Sequence, residues 1–174
     1  MTHGRKALSL FLIAAAILSQ SCAYYSFSPT GGRGGKGGLS TIAIPILTNE
    51  TLEYGVDQEL TEALVEEFTD DNSLRVVPED QAESILRGTV VRYERPVVSY
   101  DAGGSPREYK VRVVARLSYE NASTKEAVWE DEIEGWAIYS VSGEGGDVTS
   151  EDEAKAIAYE KLAQDVLAKT VQGW

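Results

Sequence analysis

Residues 108–119 read EYKVRVVARLSY, and the alternation along this stretch decides the fold. Tyr109, Val111, Val113, Ala115, Leu117 and Tyr119 fall on one side of an extended chain, and Lys110, Arg112, Val114, Arg116 and Ser118 on the other. A period of two is that of a half-buried strand. Residues 127–139 repeat it: Ala127, Trp129, Ile133, Ala137 and Tyr139 share one face, Glu130, Glu132, Glu134 and Trp136 the other. The turn residues 121–125 between the two runs predict an antiparallel hairpin.

Working outward, residues 82–95 predict another strand, with Leu86, Gly88 and Val90 on one face and Arg87, Thr89, Val91 and Tyr93 on the other. Residues 96–107, with Gly103-Gly104-Ser105-Pro106, read as a loop. Residues 39–47 (LSTIAIPIL) are β-rich, with Pro45 limiting the strand to an edge or bulge near its end. Val56, Leu60, Ala63, Leu64 and Phe68 recur at helical steps and predict a helix over 55–70. A short strand follows over 74–77. Ser150 followed by Glu153 forms a capping box that opens a second helix, with Tyr159, Leu162, Ala163, Val166, Leu167 and Thr170 as its apolar stripe. The order is β-α-β-β-β-β-α, with 74–77 and 82–95 readable as one bent element. This predicts an α+β domain: a mixed sheet of about four strands with two helices packed on one face.

The N-terminus follows other rules. Arg5 and Lys6 precede ALSLFLIAAAIL at 7–18, the length of a secretory apolar core and short for a bilayer span. Ser19-Gln20-Ser21 then lead to Cys22, the single cysteine. The arrangement resembles a bacterial lipoprotein signal, with residues 1–21 removed and Cys22 acylated. Ser19 stands where leucine is usual, and Leu18 lies one residue further back. Ala23 after the cysteine, by resemblance to known sorting rules, implies the outer membrane. Residues 22–38 form the lipidated N-terminus and a tether, GGRGGKGG at 31–38, that is costly to order. The run fails the phosphate-loop template, because Gly37 follows Lys36 and Thr30 takes the first glycine's place. Residues 39–174 are left as the folded domain.

Cleavage takes Arg5 and Lys6 from the 16 basic residues and none of the 28 acidic ones, leaving a formal charge of −14. Such a chain is repelled by nucleic acid and by anionic bilayers, so attachment rests on the lipid. His3 is the only histidine and leaves with the signal. The domain therefore lacks the parts for Ser-His-Asp or Cys-His catalysis and for His/Cys zinc sites. No pair of its carboxylates has a distinctive catalytic spacing. The sequence predicts no enzyme, no metal and no cofactor.

Three segments carry a resemblance to a known family. The first is Thr41-Ile42-Ala43-Ile44-Pro45, with Asn49-Glu50-Thr51 and Leu60-Thr61-Glu62-Ala63-Leu64 behind it. The second is Leu86-Arg87-Gly88. The third is Val128-Trp129-Glu130 with Tyr139 and an alanine-rich terminal helix ending in Trp174. Together these resemble LptE, the lipopolysaccharide-assembly lipoproteins. The resemblance implies an outer-membrane lipoprotein that plugs an LptD-like β-barrel, helps that barrel assemble, binds lipopolysaccharide and takes part in its transport to the outer leaflet. It implies no enzymatic activity. The first third alone also suits CsgG-like or TolB-N-terminal-like assembly modules; the strand 129–139 and Trp174 favour LptE.

Candidate site residues follow. Cys22 is the lipidation site. Arg95, Arg107, Lys110 and Arg112 are candidate lipopolysaccharide contacts, since guanidinium and ammonium groups suit phosphate. Lys110, Arg112 and Arg116 also face Glu130, Glu132 and Glu134 if the hairpin forms, so cross-strand ion pairs are the competing account. Trp136 and Ile138 point outward and are candidate barrel contacts.

Overall fold

The computed structural model describes residues 38–141, 148 and 150–172. The signal, Cys22, the tether through residue 37, the glycine-rich break at 142–147 and Trp174 lie outside them. Every described residue belongs to one compact unit.

The alternating run forms a 16-residue strand at the centre of a seven-stranded sheet. The strands are β1 (Thr41–Ala43), β2 (Thr48–Asn49), β3 (Arg75–Val76), β4 (Ser84–Glu94), β5 (Val97–Tyr100), β6 (Pro106–Asn121) and β7 (Ala127–Ser140). β7 pairs with β6 antiparallel along nearly its whole length, from Glu108 opposite Ser140 to Glu120 opposite Ala127. The other edge of β6 carries β4 and then β5, both antiparallel. β1 and β2 run parallel to β4, and β3 lies parallel to β1 on its far side. The predicted hairpin turn is held by Asn121, whose Oδ1 accepts from the Ser123 and Thr124 amides at 2.9 and 3.0 Å.

The α+β class holds, with more strands than predicted. Of the 39–47 segment only β1 is strand; it ends before Ile44–Leu47, where Pro45 removes a ladder donor, and β2 follows it at Thr48–Asn49. Residues 74–77 and 82–95 are not one bent element, because β1 lies between β3 and β4. The expected 96–107 loop contains β5, whose Val97, Val98 and Tyr100 are good strand formers. Its turn is closed by Asp101, whose carboxylate accepts from the Gly103 and Ser105 amides at 2.8 and 2.9 Å. Tyr93 changes face. The β4–β6 register shifts between Val90 and Arg92, so Tyr93 stands opposite inward-facing Val113. The extra residue of a bulge inverts the alternation beyond it.

Helices α1 (Val56–Asp71) and α2 (Glu151–Val171) cover the inner face. The α1 stripe is Val56, Leu60, Thr61, Leu64 and Phe68. Thr61 is tolerated in the core because its hydroxyl donates to Asp57 O and accepts from the Leu47 amide at 3.1 Å. Asn72, at φ 55°, ends the helix with its amide on Phe68 O. Ser150 caps α2, its Oγ accepting from the Glu153 amide at 3.2 Å. These stripes meet Leu86, Val90, Val111, Val113, Ala115, Leu117, Tyr119 and Ala137 in one core. Truncating a leucine in such a core to alanine costs roughly 2–5 kcal/mol. Gly135 lets α2 approach β7: a Cβ there would lie 1.9 Å from Ala158 O.

β7 is an edge strand; among the described residues only β6 pairs with it. Its backbone is nonetheless occupied in places. Lys161 Nζ donates to Trp136 O at 3.3 Å, the Glu132 amide donates to Asp131 Oδ1 at 2.8 Å, and the Ser140 amide donates to Val148 O at 3.0 Å.

Candidate functional site

The helix-free face of the sheet is divided along its length. Near the β6–β7 turn it is a ladder of ion pairs. Arg116 bonds Glu132 across the hairpin at 3.0 Å, and Arg87 bridges Glu120 and Glu79. Arg112, further along, holds Glu134 on β7 and Glu94 on β4. The hydrogen bond that Arg112 donates to Glu134, then the Glu134 charge, raises the Arg112 pKa above the ordinary value. The cross-strand account therefore holds for Arg112 and Arg116. These pairs are exposed and screened by solvent, so they add little to stability.

Beyond Arg112 the character of the face changes. Trp136 stands opposite Arg112 and Ile138 opposite Lys110, each 41% exposed. Tyr100 opposite Pro106 continues the apolar surface. Val141, whose amide donates to Arg107 O at 3.1 Å, is also exposed just past the end of β7. Lys110 forms no ion pair among the described residues. Its Nζ lies 4.3 Å from the Trp136 ring centroid, and Lys161 of α2 lies 4.9 Å from the same ring. Two ammonium groups thus converge on one half-exposed indole, a cation–π arrangement. Lys161 was not singled out from sequence. It belongs to a helix 25 residues away, and periodicity carries no signal for such a meeting.

Arg95 is drawn elsewhere. It bonds Glu151 at the start of α2 at 2.6 Å. Tyr93 donates to the same carboxylate at 3.1 Å, and Tyr139 approaches it at 3.5 Å. Burial alone raises the Glu151 carboxyl, but the bonds from Arg95 and Tyr93 outweigh it and hold the group below its ordinary value. Burial, then the Glu151 charge, pushes the Tyr93 phenol far up. The cluster ties the ends of β4 and β7 to α2. Arg107 is exposed near the start of β6. Three of the four candidate cations therefore do not converge: Lys110 sits with Trp136 and Ile138, Arg112 joins the ladder, and Arg95 joins the Glu151 cluster.

A groove of about 600 Å³ between α1 and α2 is lined by Glu59, Glu62, Glu66, Glu67 and Asp70 from one helix and Asp152, Lys155 and Glu160 from the other. Lys155 pairs with Glu59 at 3.2 Å. Burial first, then Glu160, Asp70, Asp71 and Glu66, raises the Glu67 carboxyl. Among the described residues no His, Cys, Asp or Glu cluster is suited to hold a metal, and no helix is long and apolar enough to cross a membrane.

Fold and face together define a small α+β domain with two helices on one side of the sheet and, on the other, a surface that grades from ion pairs to exposed aromatics. Solved structures share this fold at low identity. Hypothetical protein CT253 from Chlamydia trachomatis matches with a TM-score of 0.53 at 8% identity, covering 75% of this chain and 95% of that one. Protein XCC0632 from Xanthomonas campestris matches at 0.54 and 12%, covering 77% and 85%. A PelC dodecamer from Paraburkholderia phytofirmans matches at 0.50 and 14%, covering 78% and 88%. A search of curated proteins found no match. The LptE model, described as lipopolysaccharide-assembly, matches residues 39–170. The chain belongs to the LptE family.

Proposed function

We propose that this protein is an outer-membrane lipoprotein that occupies the lumen of an LptD-like β-barrel, supports that barrel's assembly and takes part in passing lipopolysaccharide to the outer leaflet. The family match over residues 39–170 carries this reading. Residues 1–21 act as the signal peptide, Cys22 carries the lipid, and residues 22–38 tether it to the domain. The role is one of binding and assembly, without catalysis.

The distribution of exposed apolar groups supports the plug. The described chain begins beside Glu83, whose carboxylate accepts from the Ser40 amide at 2.7 Å, at the same end as the β6–β7 turn. Of the large exposed apolar groups among the described residues, Leu52, Tyr54, Val98, Tyr100, Trp136, Ile138 and Val141 lie toward the opposite end, and Ile46, just before β2, does not. A strand of β6's length spans roughly 50 Å, so anchored end and apolar end are well separated. Leu52 and Tyr54 adjoin β2 on one edge of the sheet and Trp136 and Ile138 lie in β7 on the other. A surrounding wall would meet both. For lipopolysaccharide, Lys110 beside Trp136 is the best-placed candidate, because an ammonium without a carboxylate partner can meet phosphate while the adjoining surface meets acyl chains. Arg95 and Arg112 would have to release Glu151 and Glu134.

The test is affinity purification of the full, lipidated chain from detergent-solubilised outer membrane. An LptD-like barrel is expected in stoichiometric yield, and depletion of this protein is expected to lower the amount of folded barrel. Normal barrel yield and fold after depletion would overturn the reading. Lys110→Glu is expected to weaken lipopolysaccharide capture while leaving barrel recovery intact.

A further inference from the structure

The segment between β2 and α1 is a rigid knuckle. Asn49 Nδ2 donates to Glu53 O at 2.7 Å, and Asn49 Oδ1 accepts from the Thr51 amide and hydroxyl, both at 2.8 Å. Thr51 Oγ1 then accepts from the Glu53 amide at 3.2 Å. The Glu50 amide donates to Val90 O at 3.0 Å and fastens the loop to β4. Gly55, at φ +81°, makes the turn into α1. This network holds outward two apolar side chains, Leu52 at 106% and Tyr54 at 94% relative exposure. Nothing in the described chain covers either. Neither contributes to the core, and a merely connecting loop has no need of them.

We infer that Leu52 and Tyr54 are a preformed docking element that inserts into an apolar socket rimmed by basic groups on the inner wall of the barrel partner. The choice of partner rests on the functional reading above. The rim chemistry comes from the knuckle itself: Arg92 and Arg95 line the same surface but are held by Glu94 and Glu151, which leaves the Glu50 and Glu53 carboxylates beside the two apolar groups. Those carboxylates, on a chain of formal charge −12, disfavour an anionic bilayer. They also disfavour a second copy, which would bring carboxylates against carboxylates. A loop already ordered by its own hydrogen bonds avoids most of the ordering cost of binding. The knuckle adjoins the edge of the sheet opposite Trp136 and Ile138, so it is a separate contact from theirs.

Because Leu52 and Tyr54 are fully exposed, replacing them leaves the fold unchanged, and any loss reports on docking. The test uses the full lipidated chain in its own outer membrane. Leu52→Asp with Tyr54→Ser is expected to lower barrel recovery at least ten-fold at unchanged melting temperature. A photo-crosslinking residue at position 52 is expected to give an adduct with the barrel protein, and the same residue at Ser123, in the turn at the other end, none. Wild-type barrel recovery by the double variant would overturn the inference and leave the functional reading standing. Adducts at position 52 only with lipid or with a second copy would overturn it as well. An unaltered chain that recovers no barrel would overturn the functional reading first, and this partner with it.

Discussion

Gly135 of β7 lies directly beneath Ala158 of α2, so close that a Cβ at position 135 would stand 1.9 Å from the Ala158 carbonyl oxygen and 2.9 Å from Leu162 Cβ. The obstruction is helix backbone, which cannot swing aside as a side-chain tip can. Gly135→Ala is therefore expected to destabilise the domain by about 3 kcal/mol, the upper end of overpacking costs. Urea unfolding would measure it. The effect should be specific to this crossing: Gly104→Ala has no steric neighbour and carries only the strain of its φ of +82°.

Glu151 joins three elements through Arg95, Tyr93 and Tyr139. Its folded pKa lies below the ordinary 4.5. Its contribution is thus fully present above 4.5 and is lost as the pH falls through the lower folded value. Glu151→Gln is expected to cost about 1 kcal/mol at pH 7, given charged hydrogen bonds at a partly exposed site. The difference from wild type should shrink in melts below pH 4. A constant difference across that range would sink this account.

Glu67 behaves in the opposite sense. Its pKa is raised above 4.5, so its charged form opposes folding at neutral pH, and the penalty disappears as the pH falls through the raised value toward 4.5. Glu67→Gln is expected to stabilise by a few tenths of a kcal/mol at pH 7. The gain should be absent at pH 4 and reduced by salt. Paired thermal melts at low and high ionic strength would check both.

The ladder pair Arg116–Glu132 is exposed on both sides, with side chains 51% and 47% accessible. Arg116→Gln should change stability by less than about 0.5 kcal/mol. It should also leave lipopolysaccharide capture unchanged, in contrast to Lys110→Glu. Equal losses for the two variants would mean that bulk charge, and not the Lys110–Trp136 position, governs capture.

Cys22→Ala is expected to move the protein from the membrane fraction to the soluble periplasmic fraction. Fractionation with a lipidation assay decides it. Membrane retention by the unlipidated variant would remove the anchor from the functional scheme.

The sequence made the central hairpin, both helix stripes and the Ser150 cap legible because each is a periodicity or a local motif. β5 was hidden because Pro96 and the Gly103-Gly104 turn surround a strand of only four residues. The face of Tyr93 was misread because one bulged residue inverts alternation, and nothing in VVRYE announces a bulge. The cation positions were half legible. Arg112 and Arg116 face glutamates on the adjoining strand of the same hairpin. Arg95 finds its carboxylate 56 residues away, and Lys161 reaches Trp136 from a helix, which depends on how the layers dock.

The occupied edge of β7 bears on the protein's behaviour before it meets any partner. A 14-residue edge strand is an open template for another chain's strand. Here Lys161, Asp131 and the Val148 carbonyl each consume a backbone group on it, and the Lys169 ion pair keeps Asp131 in place. A chain guarded in this way can remain alone in solution without recruiting neighbours into mixed sheets. Lys161→Ala with Asp131→Ala would then shorten its solution lifetime before it altered its affinity for any partner.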